Sequence, residues 1–185
     1  MNGEKATTAA YSARYGWDRR TLGVVAVCAA FCSTVLLPGA PLALYLLVLP
    51  FFGGGGLFLA CVALSRRVAF RVDESGVLLG GTPPRHRATT AHVPWDDIEA
   101  VVLWRQTGAA HMPYVGLARR EDAPRLPGAG QGDRARALSG FLVPDVPPDV
   151  VMASRAVNGW RLDKDRLAAA VAAFAPPGVE VLDAW

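Results

Sequence analysis

The stretch TLGVVAVCAAFCSTVLLPGAPLALYLLVLPFFGGGGLFLACVALS, residues 21–65, contains no Asp, Glu, Lys, Arg or His. A charge-free run of that length exceeds the roughly 20 residues that one helix needs to cross bilayer hydrocarbon. Pro38 and Pro41 interrupt it around Gly39. Proline lacks an amide donor and its ring collides with the preceding turn, so continuous helix is disfavoured there. Two helices, about 22–37 and 42–64, joined by a tight uncharged turn are therefore expected. A cleaved secretory signal built on Arg19-Arg20 competes, but no Ala-x-Ala site precedes a suitable cleavage point. A hairpin buried in a soluble core would show an amphipathic face, and this run shows none.

The flanks of the run set an expected orientation. Lys5, Arg14, Arg19 and Arg20 precede it, and Arg66, Arg67 and Arg71 follow it. Basic residues stay on the cytoplasmic side of a membrane, so both termini are expected there, in a multi-pass protein of the cell membrane. Tyr15 and Trp17 suit the interfacial aromatic belt. Inside the run, Gly23, Ala26, Ala30 and Ser33 recur at helical spacing, and Gly53, Gly54, Gly55 and Gly56 offer matching bareness on the second helix. Small residues let membrane helices approach closely, so these eight are the expected helix–helix contact. Cys28, Cys32 and Cys61 all lie within the run, with no histidine or carboxylate beside them, and read as small packing residues.

The chain carries 19 basic and 16 acidic residues. Four of the basic ones precede the run; the part after Ser65 is nearly neutral, with no basic stripe, so nucleic acid is not an expected partner. In that part the period changes. Residues 68–79, VAFRVDESGVLL, alternate around the turn Asp73-Glu74-Ser75-Gly76 and read as a hairpin. Further strands are expected at about 91–93, 100–106 and 114–120. Residues 82–90 read as a loop, 121–136 as a flexible loop, and 141–154 as short or edge strand pieces broken by Pro144, Pro147 and Pro148. Asp163 is placed to cap a helix over 164–175 whose Leu167, Val171 and Phe174 share a face. The tail, 179–185, either adds a strand or packs.

These pieces resemble the pleckstrin-homology-like (PH-like) domains of bacteria. The resemblance rests on Val93, Pro94, Trp95, Ile98 and Val101, which follow the pattern apolar-Pro-Trp-x-x-Ile before an alternating strand. RVDESGV resembles the first hairpin of such domains, and WRLDKDRLAAAVAAFAP, from Trp160, resembles their closing helix. Two membrane helices ahead of such a domain are similar to small actinobacterial membrane proteins. Residues 121–158 depart from the pattern. The resemblance implies an α+β chain: a cytoplasmic tail over 1–20, the helical hairpin over 21–65, and a PH-like antiparallel barrel over 66–178 closed by one amphipathic helix. Pro94, Trp95, Ile98, Trp160, Leu167, Val171 and Phe174 would be its framework. Inositide binding is not carried over, because the first hairpin turn is acidic where binders of that class use lysine and arginine.

Asp96, Asp97 and Glu99 decide whether an enzyme is expected. Paired carboxylates do acid–base work only when they face one cleft, and adjacent strand residues point to opposite sides. The three histidines, His86, His92 and His111, form no metal-ligand spacing. GGGG at 53–56 and GAGQG at 128–132 lack the strand and helix context of a phosphate loop. The expectation is a non-enzymatic interaction module without cofactor or metal, anchored in the bilayer, binding a protein partner or the leaflet surface. Arg66, Arg67, Arg71, Arg85 and Arg87 are the candidates for leaflet contact, each worth about 1 kcal/mol near anionic lipid. The alternative is an accessory subunit, or homo-oligomer, whose helical hairpin is the interface.

Overall fold

A computed structural model describes residues 10–39, 41–81, 83, 85–106, 111–127, 143 and 145–184. The chain divides into two units: one holds the residues up to Ala13 with Val68–Asn158 and the chain from Leu162 on, the other Arg14–Arg67 with Gly159–Arg161.

The first unit is mixed α+β. Its first sheet has the order β1 (Tyr11–Arg14), β2 (Val68–Asp73), β3 (Gly76–Leu79), β4 (Ala91–Val93). The second runs β7 (Ser154–Ala156), β6 (Pro113–Arg119), β5 (Ile98–Arg105), β8 (Glu180–Ala184), with β8 parallel to β5. Among the described residues neither sheet closes into a barrel.

The β2–β3 turn forms because Asp73 Oδ1 accepts from the Ser75 amide at 2.9 Å and the Ser75 hydroxyl at 2.5 Å. Gly76 is required after it: its φ is +136°, and a Cβ there would lie 2.2 Å from the Val93 carbonyl oxygen. Alternation buries Phe70, Val72, Val77, Leu79 and Val93 on one sheet and Val101, Leu103, Val115 and Leu117 on the other. Each such side chain contributes about 1.5–3 kcal/mol by leaving water. The second sheet is covered on its other face too. There Trp104 stacks on Tyr114, centroids 4.3 Å apart, and packs with Val143 and Val150.

Among the described residues, three helices accompany the sheets: a single turn α4 (His86–Thr89), α5 (Pro148–Met152) and α6 (Lys164–Phe174). Asp163 caps α6 by accepting from the Arg166 amide at 3.0 Å, and Leu167, Ala170 and Val171 face inward. The helix packs against β2 and β8. Phe174 is half-buried; Trp160, expected in the same framework, is buried but belongs to the second unit.

Several boundaries differ from expectation. The segment expected as a tail over 1–20 contributes β1, which lies on the edge of the first sheet although residues 15–67 intervene before β2. A helical turn occurs within 82–90, because Thr89 and Thr90 hydroxyls bond back to the carbonyls of Arg85 and His86. α5 stands where strand pieces were expected: Pro148 sits in its first turn, where no amide donor is needed. The tail adds a strand. Of the loop 121–136, residues 121–127 form turns and bends, and the rest lies outside the described residues.

The second unit is a pair of antiparallel helical segments. α1 (Arg19–Ser33) continues through a 3-10 turn at Thr34–Leu36. α2 (Leu42–Val48) continues through a π turn at Leu49–Gly53 into α3 (Gly54–Ser65). Pro50 explains the π turn, since a wider turn relieves the clash of its ring with the carbonyl four residues back.

Candidate functional site

The two helical segments, Arg19–Leu36 and Leu42–Ser65, are long and apolar enough to cross a membrane. Within the 18-residue apolar stretch of each, 11% and 17% of the residues are buried. The least exposed residues form a narrow seam. On the first segment it runs through Thr21 and Val35, buried, and Val25, Cys28 and Cys32, half-buried, at steps of four and three. On the partner segment Leu44, Val48, Phe52, Gly56 and Ala63 face it. Three successive steps of four would drift off one face of an α-helix, and the π turn absorbs that drift. Phe31 and Phe52 stack across the seam with centroids 4.2 Å apart. The outward faces carry Leu22, Val27, Leu46, Leu47, Phe51, Leu57 and Leu64, all exposed.

The expected small-residue contact is corrected on α1. Gly23, Ala26, Ala30 and Ser33 are exposed, and the cysteines Cys28 and Cys32 take the seam instead. On the other segment the expectation divides. A Cβ on Gly56 would meet Cys28 Cβ at 2.9 Å and one on Gly53 would meet Cys32 Sγ at 3.6 Å, whereas Gly54 and Gly55 meet nothing within 4 Å. Two sets of small residues share α1 at helical spacing, and spacing alone does not choose between them.

One end of the pair is cationic. Arg14, Arg19, Arg20, Arg66, Arg67 and Arg161 belong to this unit and are exposed, while the opposite turn holds no charge. Arg66 ends α3 with a left-handed φ of 47°, and its carbonyl accepts from Arg14 at 3.3 Å. Tyr15 donates its amide to the Arg67 carbonyl at 2.9 Å, and Gly16 to Gly159 at 2.8 Å. Asp18 caps α1 by accepting from the Thr21 amide at 2.6 Å. Burial lifts the Asp18 carboxyl, but the Thr21 hydrogen bonds and the charge of Arg161 outweigh it and hold the group below its ordinary range. Arg161 has no sequence signal, since only the fold brings 159–161 to this unit.

The other basic candidates lie in the first unit. Arg71 is held by Asp73 in an ion pair of 2.5 Å, so its guanidinium is already engaged. Arg85 and Arg87 are exposed beside and within α4.

The carboxylates form a corner. Trp95–Asp97 is a 3-10 turn linking β4 to β5; Trp95 and Ile98 are buried, and Asp96 and Glu99 are exposed. The Trp95 indole donates to the Asp73 carbonyl at 2.9 Å, tying this corner to the β2–β3 turn.

Sequence reasoning missed a Ser–His–Asp contact there, because His92 lies 17 residues from Ser75. His92 Nε2 is 3.0 Å from Ser75 Oγ, and Ser75 Oγ is 2.5 Å from Asp73. The hydroxyl has one proton, which goes to the carboxylate, so His92 donates to Ser75 and is not placed to take its proton. The order is the reverse of a nucleophilic triad. Burial raises the Asp73 carboxyl, yet hydrogen bonds from Ser75 and the neighbouring Arg71 outweigh that and hold it below its usual range. The group is a locked turn. Among the described residues no cluster of His, Cys, Asp and Glu could hold a metal.

Arg155 was also missed. It donates to the carbonyls of Gly80 at 2.7 Å and Thr89 at 2.8 Å, fastening β7 to the loop after β3 and to the end of α4.

Comparison with models of known families, with curated proteins and with solved structures gave no match to this chain.

Proposed function

We propose that this chain is a multi-pass protein of the cell membrane, its helical pair inserted with both flanks in the cytoplasm. Its α+β unit then serves as a non-enzymatic interaction module of the PH-like kind. The observation that carries the reading is the outer surface of the helical pair, apolar on all sides and exposed along both segments. Apolar surface of that extent needs a cover, and lipid supplies one.

Two features support the orientation. The cationic collar sits at one end only, which is the cytoplasmic end by the distribution of basic residues in membrane proteins. The neighbouring strands β1 and β2 flank the pair on either side in sequence, and two strands of one sheet belong on one side of a membrane. The hairpin β2–β3, the Pro94-Trp95 corner and the capped helix α6 support the PH-like reading; the parallel β8 is a departure from it.

Recognition of a protein partner falls on β8. It is the outer strand of its sheet, and Leu182 is half exposed, the one large apolar side chain so exposed in this unit among the described residues. An added strand pairs with such an edge through main-chain hydrogen bonds. Exposed Arg85 and Arg87 add attraction to an anionic leaflet.

A second reading has its own observation. Gly23, Ala26, Ala30 and Ser33 turn away from the seam, leaving a bare face for another helix, as an accessory subunit or homo-oligomer would have.

Alkaline carbonate extraction with cysteine labelling tests the main reading. With Cys28, Cys32 and Cys61 replaced by Ala, Pro38→Cys should react with an impermeant maleimide on intact cells. Ser75→Cys should react only after permeabilisation. Release of the chain into the carbonate supernatant would end the proposal.

A further inference from the structure

Beside the seam the helical pair carries a groove of about 720 Å³, within the roughly 300–1,000 Å³ of small-molecule sites. Its lining is apolar save at one end, where Arg19 and Arg20 stand; Gly23 and Val27 form one wall, Phe52 and Gly55 the other. The two glycines decide its meaning. A Cβ on Gly23 or Gly55 would meet nothing within 4 Å, so packing of the pair does not call for their bareness. Gly56 differs, being pressed against Cys28. Each helical glycine costs about 1 kcal/mol relative to alanine. The open wall is thus kept at some expense to the helix.

Size and charge together identify an occupant. From Arg19 to Cys28 the groove runs about 13 Å along α1 at 1.5 Å per residue. That matches the depth of one leaflet, half of a roughly 30 Å hydrocarbon core. Two guanidiniums mark the end that meets the headgroups, and among the described residues neither is in an ion pair. Arginine binds phosphate through a planar fork of donors.

We propose that this groove holds one acyl chain of an anionic phospholipid from the cytoplasmic leaflet, its phosphate bound by Arg19 and Arg20. The site rests on the membrane insertion proposed above.

Native mass spectrometry of the full chain, released from detergent micelles, tests the site. The probes are phosphatidylglycerol and phosphatidylcholine with identical acyl chains. Retention of one phosphatidylglycerol, preferred on the order of tenfold over phosphatidylcholine, is expected from two cationic contacts. Gly23→Leu with Gly55→Leu should fill the groove and abolish retention of either lipid, while leaving the thermal midpoint of the helical pair unchanged or higher. Arg19→Gln with Arg20→Gln should erase the preference. Equal retention of both lipids by the wild type, or undiminished phosphatidylglycerol in the double leucine variant, would overturn the proposal. So would a lipid-free dimer, which would assign the groove to a second copy of the chain. Carbonate extraction of the membranes before detergent is added separates the two readings: an embedded chain without lipid refutes this site alone, and an extractable chain refutes insertion.

Discussion

At Gly56 one added carbon would sit 2.9 Å from Cys28 Cβ, closer than real side chains approach. Gly56→Leu should therefore push the helices apart, costing about 1–3 kcal/mol in overpacking. Gly54→Leu, two residues away and open on all sides, should be nearly silent. Unfolding of both variants in detergent, followed by circular dichroism, checks the contrast. The four glycines were legible as a bare patch, but which of them touch α1 depends on the π turn, whose phase only the folded chain shows. Asp73 gives a second prediction. Its carboxyl lies below its ordinary range when folded, so its ionised form stabilises the folded state at pH above that range. The contribution fades as pH falls through the ordinary value and is gone below the folded one. Asp73→Asn should be less stable than wild type at neutral pH, and their stabilities should converge in acid. Denaturation curves taken from neutral pH downward would expose parallel behaviour, if the idea is wrong. The buried pair Trp95 and Ile98 was legible from spacing within one turn, whereas the Ser75–His92 contact depends on β3 and β4 lying side by side.

Elements were readable where a local signal fixes them. The hairpin β2–β3 and helix α6 appear where alternation, turn chemistry and an N-cap placed them. Asp163→Ala removes that cap and should cost about 1 kcal/mol, seen as faster hydrogen exchange in the first turn of α6 with β5 unaffected. β1 had no such signal. YSAR is four residues long, and its alternation of buried and exposed side chains takes meaning only from β2, across residues 15–67. α5 was masked by its prolines, which argue against strand interiors but are welcome in the first turn of a helix.

For the whole molecule, the first sheet is discontinuous in sequence. A fragment of residues 66–185 therefore lacks an edge strand and leaves the outer side of β2 unpaired. Such an edge invites intermolecular pairing. The fragment should unfold at lower temperature and associate more readily than a chain in which residues 1–15 are joined to residue 66 by a short flexible linker. Light scattering and a thermal scan on the two chains measure the difference. Equal behaviour would mean that β1 adds nothing to the sheet.

The same discontinuity imposes an order in time. The ribosome finishes β1 well before β2 exists, and every residue between them belongs to the helical unit. On the proposed topology, β1 waits at the cytoplasmic surface while both helices leave the translocon. Its partner emerges only after the second helix has been delivered. Completion of the first sheet then certifies that the second crossing followed the first and brought the chain back to the face it started from. A chain with one helix left behind would present an unpaired β1 and an open β2 edge on opposite faces, a mark by which a protease could recognise the failure.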